Sequence, residues 1–232
     1  MSHIAVVMFR VISSGLLVAA ALFAQAQDTV KVTRVAPKVG DVRAWTVECK
    51  FQAQGQEATM TTKSYRKVTK LEANGDYEVE STLKDGKMVI MGTEMEQPPQ
   101  SNLRHFDKND LPVGKFETDN DLAEATMAYL LVRYPDEGAK AGDHWAFDVK
   151  SFTRGKGVVT MVGIGKKWER ECIELKMTYT VASGHGDCDG SVFFDKTNGE
   201  LLGYDMKFTK VTIAPGLESD GSIVMIPINS GK

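Results

Sequence analysis

The densest run of reactive side chains in the sequence is Ser183-Gly184-His185-Gly186-Asp187-Cys188-Asp189-Gly190. Imidazole, thiol and two carboxylates, from His185, Asp187, Cys188 and Asp189, are the group types that ligate zinc or another divalent ion. Their spacing matches no established zinc site. It also departs from the calcium-loop pattern, because Gly190 follows Asp187 too early and Asn198, not an acid, stands at the closing position. These four residues are the metal candidates, yet a glycine-rich structural loop is the expected reading and no metal is assigned.

Other reactive constellations reduce to structure in the same way. Glu78 and Glu80 pair carboxylates as glycoside hydrolysis requires, but alternate positions put both on the polar face of one strand. Arg154-Gly155-Lys156-Gly157 and Gly163-Ile164-Gly165-Lys166-Lys167 lack the spacing that aims several amides and a helix start at one phosphate. His105 and His144 sit beside Phe106 and Trp145 as boundary residues. No Gly-x-Ser-x-Gly, His-Glu-x-x-His, Walker loop or Cys-x-x-Cys occurs. No catalytic residue or cofactor is assigned, and the protein is not expected to be an enzyme.

The chain of 232 residues is 42% hydrophobic and 25% charged with a formal net charge of -3, which suits a globular protein and removes the basic surface that nucleic-acid binding needs. Residues 1–26 carry Arg10 as their only Lys or Arg, then an uncharged apolar stretch from Val11 to Phe23, then Ala24-Gln25-Ala26. This is the form of a secretory signal peptide, so cleavage is expected after Ala26, leaving 27–232 as a single β-rich domain that is periplasmic or secreted. No membrane span is expected after cleavage, and no Cys near the cut suggests a lipid anchor. Three cysteines, Cys49, Cys172 and Cys188, allow at most one internal disulfide, and no pairing follows from the sequence.

Period-two alternation dominates the mature chain. Trp45, Val47, Cys49 and Phe51 share one side of a strand, Asn74-Gly75 and Asp85-Gly86 mark turns, and alternating strands recur from Trp145 to Phe208. Asn198-Gly199 marks a further hairpin, and a last short strand is expected at Ile223–Ile228. Trp168 reads as an exposed strand end. Between the two strand groups, Asp119 to Tyr134 takes a helical pattern, with acids at its start, apolar Leu122, Met127, Leu130 and Val132, and Pro135 as its stop. An internal echo joins the groups. Pro37-Lys38-Val39-Gly40-Asp41 leads to Trp45, and Lys140-Ala141-Gly142-Asp143 leads to Trp145; Phe106-Asp107-Lys108 is answered by Phe194-Asp195-Lys196. Two pseudo-repeated halves, about 37–117 and 135–213, would produce it.

The Pro…Lys-x-Gly-Asp-x-Trp opening and the Phe-Asp…Gly-x-Leu turn resemble a group of bacterial exported proteins assigned only to domains of unknown function. More loosely, the chain is similar to half-barrel proteins of the lipoprotein-carrier type. The resemblance covers most of residues 35–213 and implies an antiparallel sheet wrapped around a helix, with an apolar groove; it transfers no catalytic residue. The expected fold is therefore mainly β: one strongly curved antiparallel sheet, half-barrel-like, from two pseudo-repeated halves, with one helix (about 119–134) packed on it. Trp45, Trp145, Met127 and Leu130 are the candidate ligand-binding residues, lining a cavity of roughly 300 Å³ or more if a ligand is held. The expected partner is an apolar small molecule or an envelope protein, and the alternative is a structural or interaction protein with a solid core.

Overall fold

Alternation of apolar and polar residues decides which way each strand faces. In Val42–Ala53 (β1), Trp45 and Cys49 are buried while their chain neighbours are more exposed, and the strand pairs antiparallel with Gln56–Leu71 (β2) along its whole length. The computed structural model describes residues 28–32, 35–53, 55–108, 110–114, 132, 134–135, 137–148, 156–180, 186–214 and 217–228. The further strands are Tyr77–Ile90 (β3), Thr93–Gln97 (β4), Gln100–Phe106 (β5), Pro112–Val113 (β6), His144–Asp148 (β7), Lys156–Lys167 (β8), Arg170–Thr180 (β9), Asp187–Asp195 (β10), Leu201–Ala214 (β11) and Leu217–Pro227 (β12).

All twelve strands form one antiparallel sheet in the order β6-β5-β3-β2-β1-β12-β11-β10-β9-β8-β7, with β4 pairing β3 off this path. Its edges do not meet among the described residues, so it is an open sheet and not a barrel. The main core lies on one face and runs from Trp45 and Cys49 of β1 to Val159 and Met161 of β8, with Leu175, Met177, Tyr179, Met206, Phe208 and Met225 between them. Burying each such large side chain contributes about 1.5–3 kcal/mol. Val30 and Ala139 bridge over this face, and the Tyr134 hydroxyl donates to the Val30 carbonyl at 2.7 Å, tying two connecting segments down together.

The opposite face carries a small second core. Trp168 and Glu169 form the β8–β9 turn with positive φ of 48° and 65°. This turn folds the half-buried Trp168 ring back onto buried Cys172, Phe193 and Leu202, edge-on to Phe193 with centroids 5.2 Å apart. Trp168 is thus not the exposed strand end its charged neighbours suggest. Beside it, Arg170 pairs with buried Asp195 at 2.7 Å, so the carboxylate has a charged partner.

Two turns that echo each other in sequence make the same set of bonds. Lys38 N–H donates to Asp41 Oδ2 at 2.8 Å, and Gly40 N–H and Asp41 O bond to the Val68 backbone at 2.9 and 3.0 Å. Likewise Lys140 N–H donates to Asp143 Oδ2 at 2.8 Å, and Gly142 N–H and Asp143 O bond to the Met161 backbone at 2.8 and 2.8 Å. Gly40 and Gly142 both supply the positive φ needed, 93° and 90°.

Several sequence expectations change here. Asp85-Gly86 is no hairpin turn: β3 runs through it, and Asp85 at φ 53° takes up a register shift opposite Thr61 and Lys63. The hairpin is made instead by Met91 and Gly92, at φ 53° and 77°. The final strand is not short; β12 begins at Leu217 and lies in the middle of the sheet. The expected helix at 119–134 falls outside the described residues except for Val132 and Tyr134, both buried in the main core, and among the described residues no helix occurs.

Backbone closeness at the sheet centre gives a direct check. A Cβ on Gly190 would lie 2.6 Å from Met206 Cα, whereas one on Gly165 meets nothing within 4 Å. Gly190→Ala is expected to lower the unfolding free energy by about 1–3 kcal/mol or more, and Gly165→Ala to raise it by up to about 1 kcal/mol, both read from urea denaturation midpoints.

Candidate functional site

On the buried face of β1, Arg43 breaks the apolar series that continues through Trp45, Val47, Cys49 and Phe51. Residues paired across an antiparallel ladder share a face. Arg43 stands opposite Arg66 of β2, and Val68 of β2 opposite Val79 of β3; Tyr77 of β3 stands opposite Phe106 of β5. These side chains form one wall of a cleft of about 120 Å³. The other wall is the β10–β11 hairpin, through Phe194, Asn198, Gly199, Glu200 and Leu201, and Val132 and Val35 also line the space.

The cleft shows that the sheet bends. Phe106 on β5 and Phe194 on β10 both line it, although β5 and β10 stand six places apart in strand order. At about 4.8 Å per strand a flat sheet would hold them roughly 29 Å apart. Three contacts fasten the hairpin across the bend. Trp45 Nε1–H donates to the Leu202 carbonyl at 2.8 Å, Arg43 Nη2 pairs with Glu200 Oε1 at 2.7 Å, and Val35 N–H reaches the Asn198 carbonyl at 3.4 Å. The first is buried and strong by location; the ion pair, with side chains 37% and 32% exposed, is worth no more than about 1 kcal/mol.

The cleft is apolar below and polar at its mouth. Trp45, Val68, Val79 and Phe106 are buried, and Tyr77 stacks on Phe106 with centroids 5.4 Å apart. Arg66 lies over the Trp45 ring, Cζ to centroid 5.4 Å, a cation–π contact that also places its guanidinium at the cleft. The Tyr77 hydroxyl donates to Asp110 Oδ1 at 2.7 Å. Burial, then the Asp110 charge, push the Tyr77 phenol above its ordinary range, so it stays a donor at physiological pH. Asp110 itself is presented by a tight loop in which Asp107 Oδ1 accepts from Leu111 N–H at 2.9 Å.

Of the residues expected at a ligand site, Trp45 lies in this cleft and Trp145 does not. Trp145 is half-buried and meets Tyr134 edge-on, centroids 6.3 Å apart. Register explains the difference. Asp41 bonds across to Val68 and Trp45 stands opposite Ser64, while Asp143 bonds across to Met161 and Trp145 stands opposite Val159. Trp145 therefore holds the register place of Arg43, not of Trp45. Met127 and Leu130 lie outside the described residues. The cleft is smaller than the expected cavity of roughly 300 Å³.

Strand alternation takes the metal candidates apart. His185 lies outside the described residues, and Cys188 is not in a loop but in β10. Cys188 faces the core between Tyr179 and Phe208, whereas Asp187 and Asp189 point to the exposed side, where Asp187 accepts from Thr180 Oγ1 at 2.7 Å. Burial pushes the Cys188 thiol up to about 12 and that of Cys49 up to about 11, which disfavours the thiolate a metal requires. Among the described residues no group of three His, Cys, Asp or Glu side chains that could hold a metal occurs. The three cysteines are buried and unbridged.

Sequence reasoning passed over Arg43, Arg66, Tyr77 and Glu200. One signal was present: Arg43 sits in phase with the apolar side of β1, where a charge calls for a partner or a ligand. Trp45→Phe removes the donor to a buried carbonyl and is expected to cost about 1–3 kcal/mol in chemical denaturation, against under about 1 kcal/mol for Glu200→Gln. No family model matches the chain, and no curated protein matches it. Among solved structures it is similar to a DUF1329 family protein from Desulfovibrio piger, at 10% identity and a TM-score of 0.26, over 83% of this chain and 88% of that one.

Proposed function

We propose that the chain is exported with removal of residues 1–26 and acts in the periplasm or outside the cell as a soluble binding protein. In this reading the bent sheet is a half-barrel of two pseudo-repeated halves, and the 119–134 segment is a helix that covers its concave side. The matched Lys38–Asp41 and Lys140–Asp143 turns support the repeat. The ligand is an apolar small molecule or partner segment, and no chemistry is performed on it.

The observation that carries the reading is the cleft itself. A concave space of about 120 Å³ floored by Trp45, Val79 and Phe106 and closed by a hairpin is the form of a binding site rather than of an unfilled core. The cleft's small volume favours the second reading, a structural or interaction protein of the cell envelope whose core is solid. The test is native mass spectrometry of protein recovered from the exported fraction. The binding reading expects a mature chain beginning at Gln27 with a small apolar adduct, and loss of that adduct in a Val79→Trp variant that fills the cleft. A mature chain without any adduct favours the solid-core reading, and an intact residue 1–26 segment contradicts export with cleavage.

A further inference from the structure

We infer that Met60, Met88 and Met95 form a three-thioether site for a soft monovalent cation, copper(I) in particular, on the inner face of the sheet beside the β3–β4 hairpin. The three stand side by side on adjacent strands. Met60 of β2 is directly opposite Met88 of β3, and Met88 is directly opposite Met95 of β4. Residues paired in this way share a face, with Cβ atoms about 4.5–5.5 Å apart. Met60 is also opposite buried Cys49, so the shared face is the one that carries the main core. None of the three lines the cleft, and the site does not rest on the binding reading above.

Simple alternation would not bring Met88 there. Leu83 is opposite Ser64 on the inner face, so an unbroken strand would turn Lys87 and Val89 inward and Met88 outward. The register shift between Thr61 and Lys63, with Asp85 at φ 53°, reverses the phase and puts Met88 in line with Met60. Such irregularities are a recurrent means of re-aiming a side chain at a functional site. Burial does not account for the trio either: Met95 is 40% exposed, and Met60 and Met88 are only half-buried.

Thioether sulfur is a soft, neutral donor that selects copper(I), whereas hard cations take oxygen ligands. Three rotatable side-chain bonds allow the outer two methionines, whose strands are roughly 10 Å apart, to lean over the middle one. The surroundings suit a single positive charge. Lys63, Lys84 and Lys87 belong to the other face, where Lys63 and Lys87 pair with Asp85 and Glu94 at 2.7 Å and Lys84 lies over the Tyr65 ring. The same-face neighbours Ala58, Thr62, Ile90, Thr93 and Gln97 are uncharged. They neither repel a cation nor offer the carboxylates that would draw a hard divalent one.

The test is proton–carbon NMR of the full chain with isotope-labelled methionine methyl groups, titrated with silver nitrate in chloride-free buffer, with copper(I) as its acetonitrile complex under nitrogen, and with zinc. Single Met→Leu variants, which nearly conserve volume, assign the resonances, and thermal melts confirm that each is folded. With either soft ion the Met60, Met88 and Met95 methyls should shift together and stop at one ion per chain. The shifts should be the same at pH 7 and pH 5, because a thioether does not titrate, and zinc should cause none. Met88→Leu should abolish the shifts of Met60 and Met95, and Cys49→Ala, which removes the neighbouring thiol, should leave them. Shifts in fewer than three of these methyls, or shifts of Met60 and Met95 that persist in Met88→Leu, overturn the three-thioether site. Loss of the shifts at pH 5 or in Cys49→Ala overturns it in favour of a thiol ligand. A response to silver but not to copper(I) overturns the copper assignment, and a response to zinc overturns the selectivity for soft ions.

Discussion

The double pairing of β12 is the constraint on which the remaining architecture depends. On one side it meets β1 from Trp45↔Pro227 to Phe51↔Gly221, and on the other it meets β11 through Tyr204↔Met225 to Phe208↔Gly221. Without it β1 and β11 would each be an edge, and the strands before and after would form two sheets with open hydrogen-bonding rims. With it, Cys49, Ile223, Met225, Met206 and Phe208 pack into one core. The approach is close enough that Gly203 and Gly221 occupy positions where a side chain would strike backbone or the Phe208 ring.

The cleft follows from that junction. Once β11 is fixed two places from β1, the hairpin leading into β11 reaches back over β1, and Trp45 can bond to Leu202 beyond the end of β12. A buried indole N–H with a carbonyl partner avoids the cost of an unmade hydrogen bond and fixes the depth at which the hairpin sits. The arginines are then held at the mouth of a space whose floor is already packed.

Much of the fold was legible in the chain because burial on one face imposes period two, and β1, β9 and β11 show it plainly in Trp45-Val47-Cys49, Ile173-Leu175-Met177-Tyr179 and Tyr204-Met206-Phe208. β12 was only half legible because Ser219, Gly221 and Ser222 interrupt its apolar pattern: Ser219 is buried to bond Gln52 N–H at 2.8 Å, and Gly221 is small to admit Phe208. Asp85-Gly86 misled because positive φ serves a register shift as well as a turn. The cleft was the least legible part. Trp45 announced itself by its place in the apolar series, but Glu200 and Arg66 reach it from distant segments, and no local pattern reports a pairing across strands.

Amide hydrogen exchange resolved by peptide tests most directly whether one sheet with one core exists. The account predicts that amides of β1, β11 and β12 are the slowest in the chain and open together, with the free energy of global unfolding. Exchange of β1–β3 through a separate, less stable opening while β9–β11 stay protected would contradict it, for it would mean that the β1–β12 ladder does not bind the strand groups into one unit.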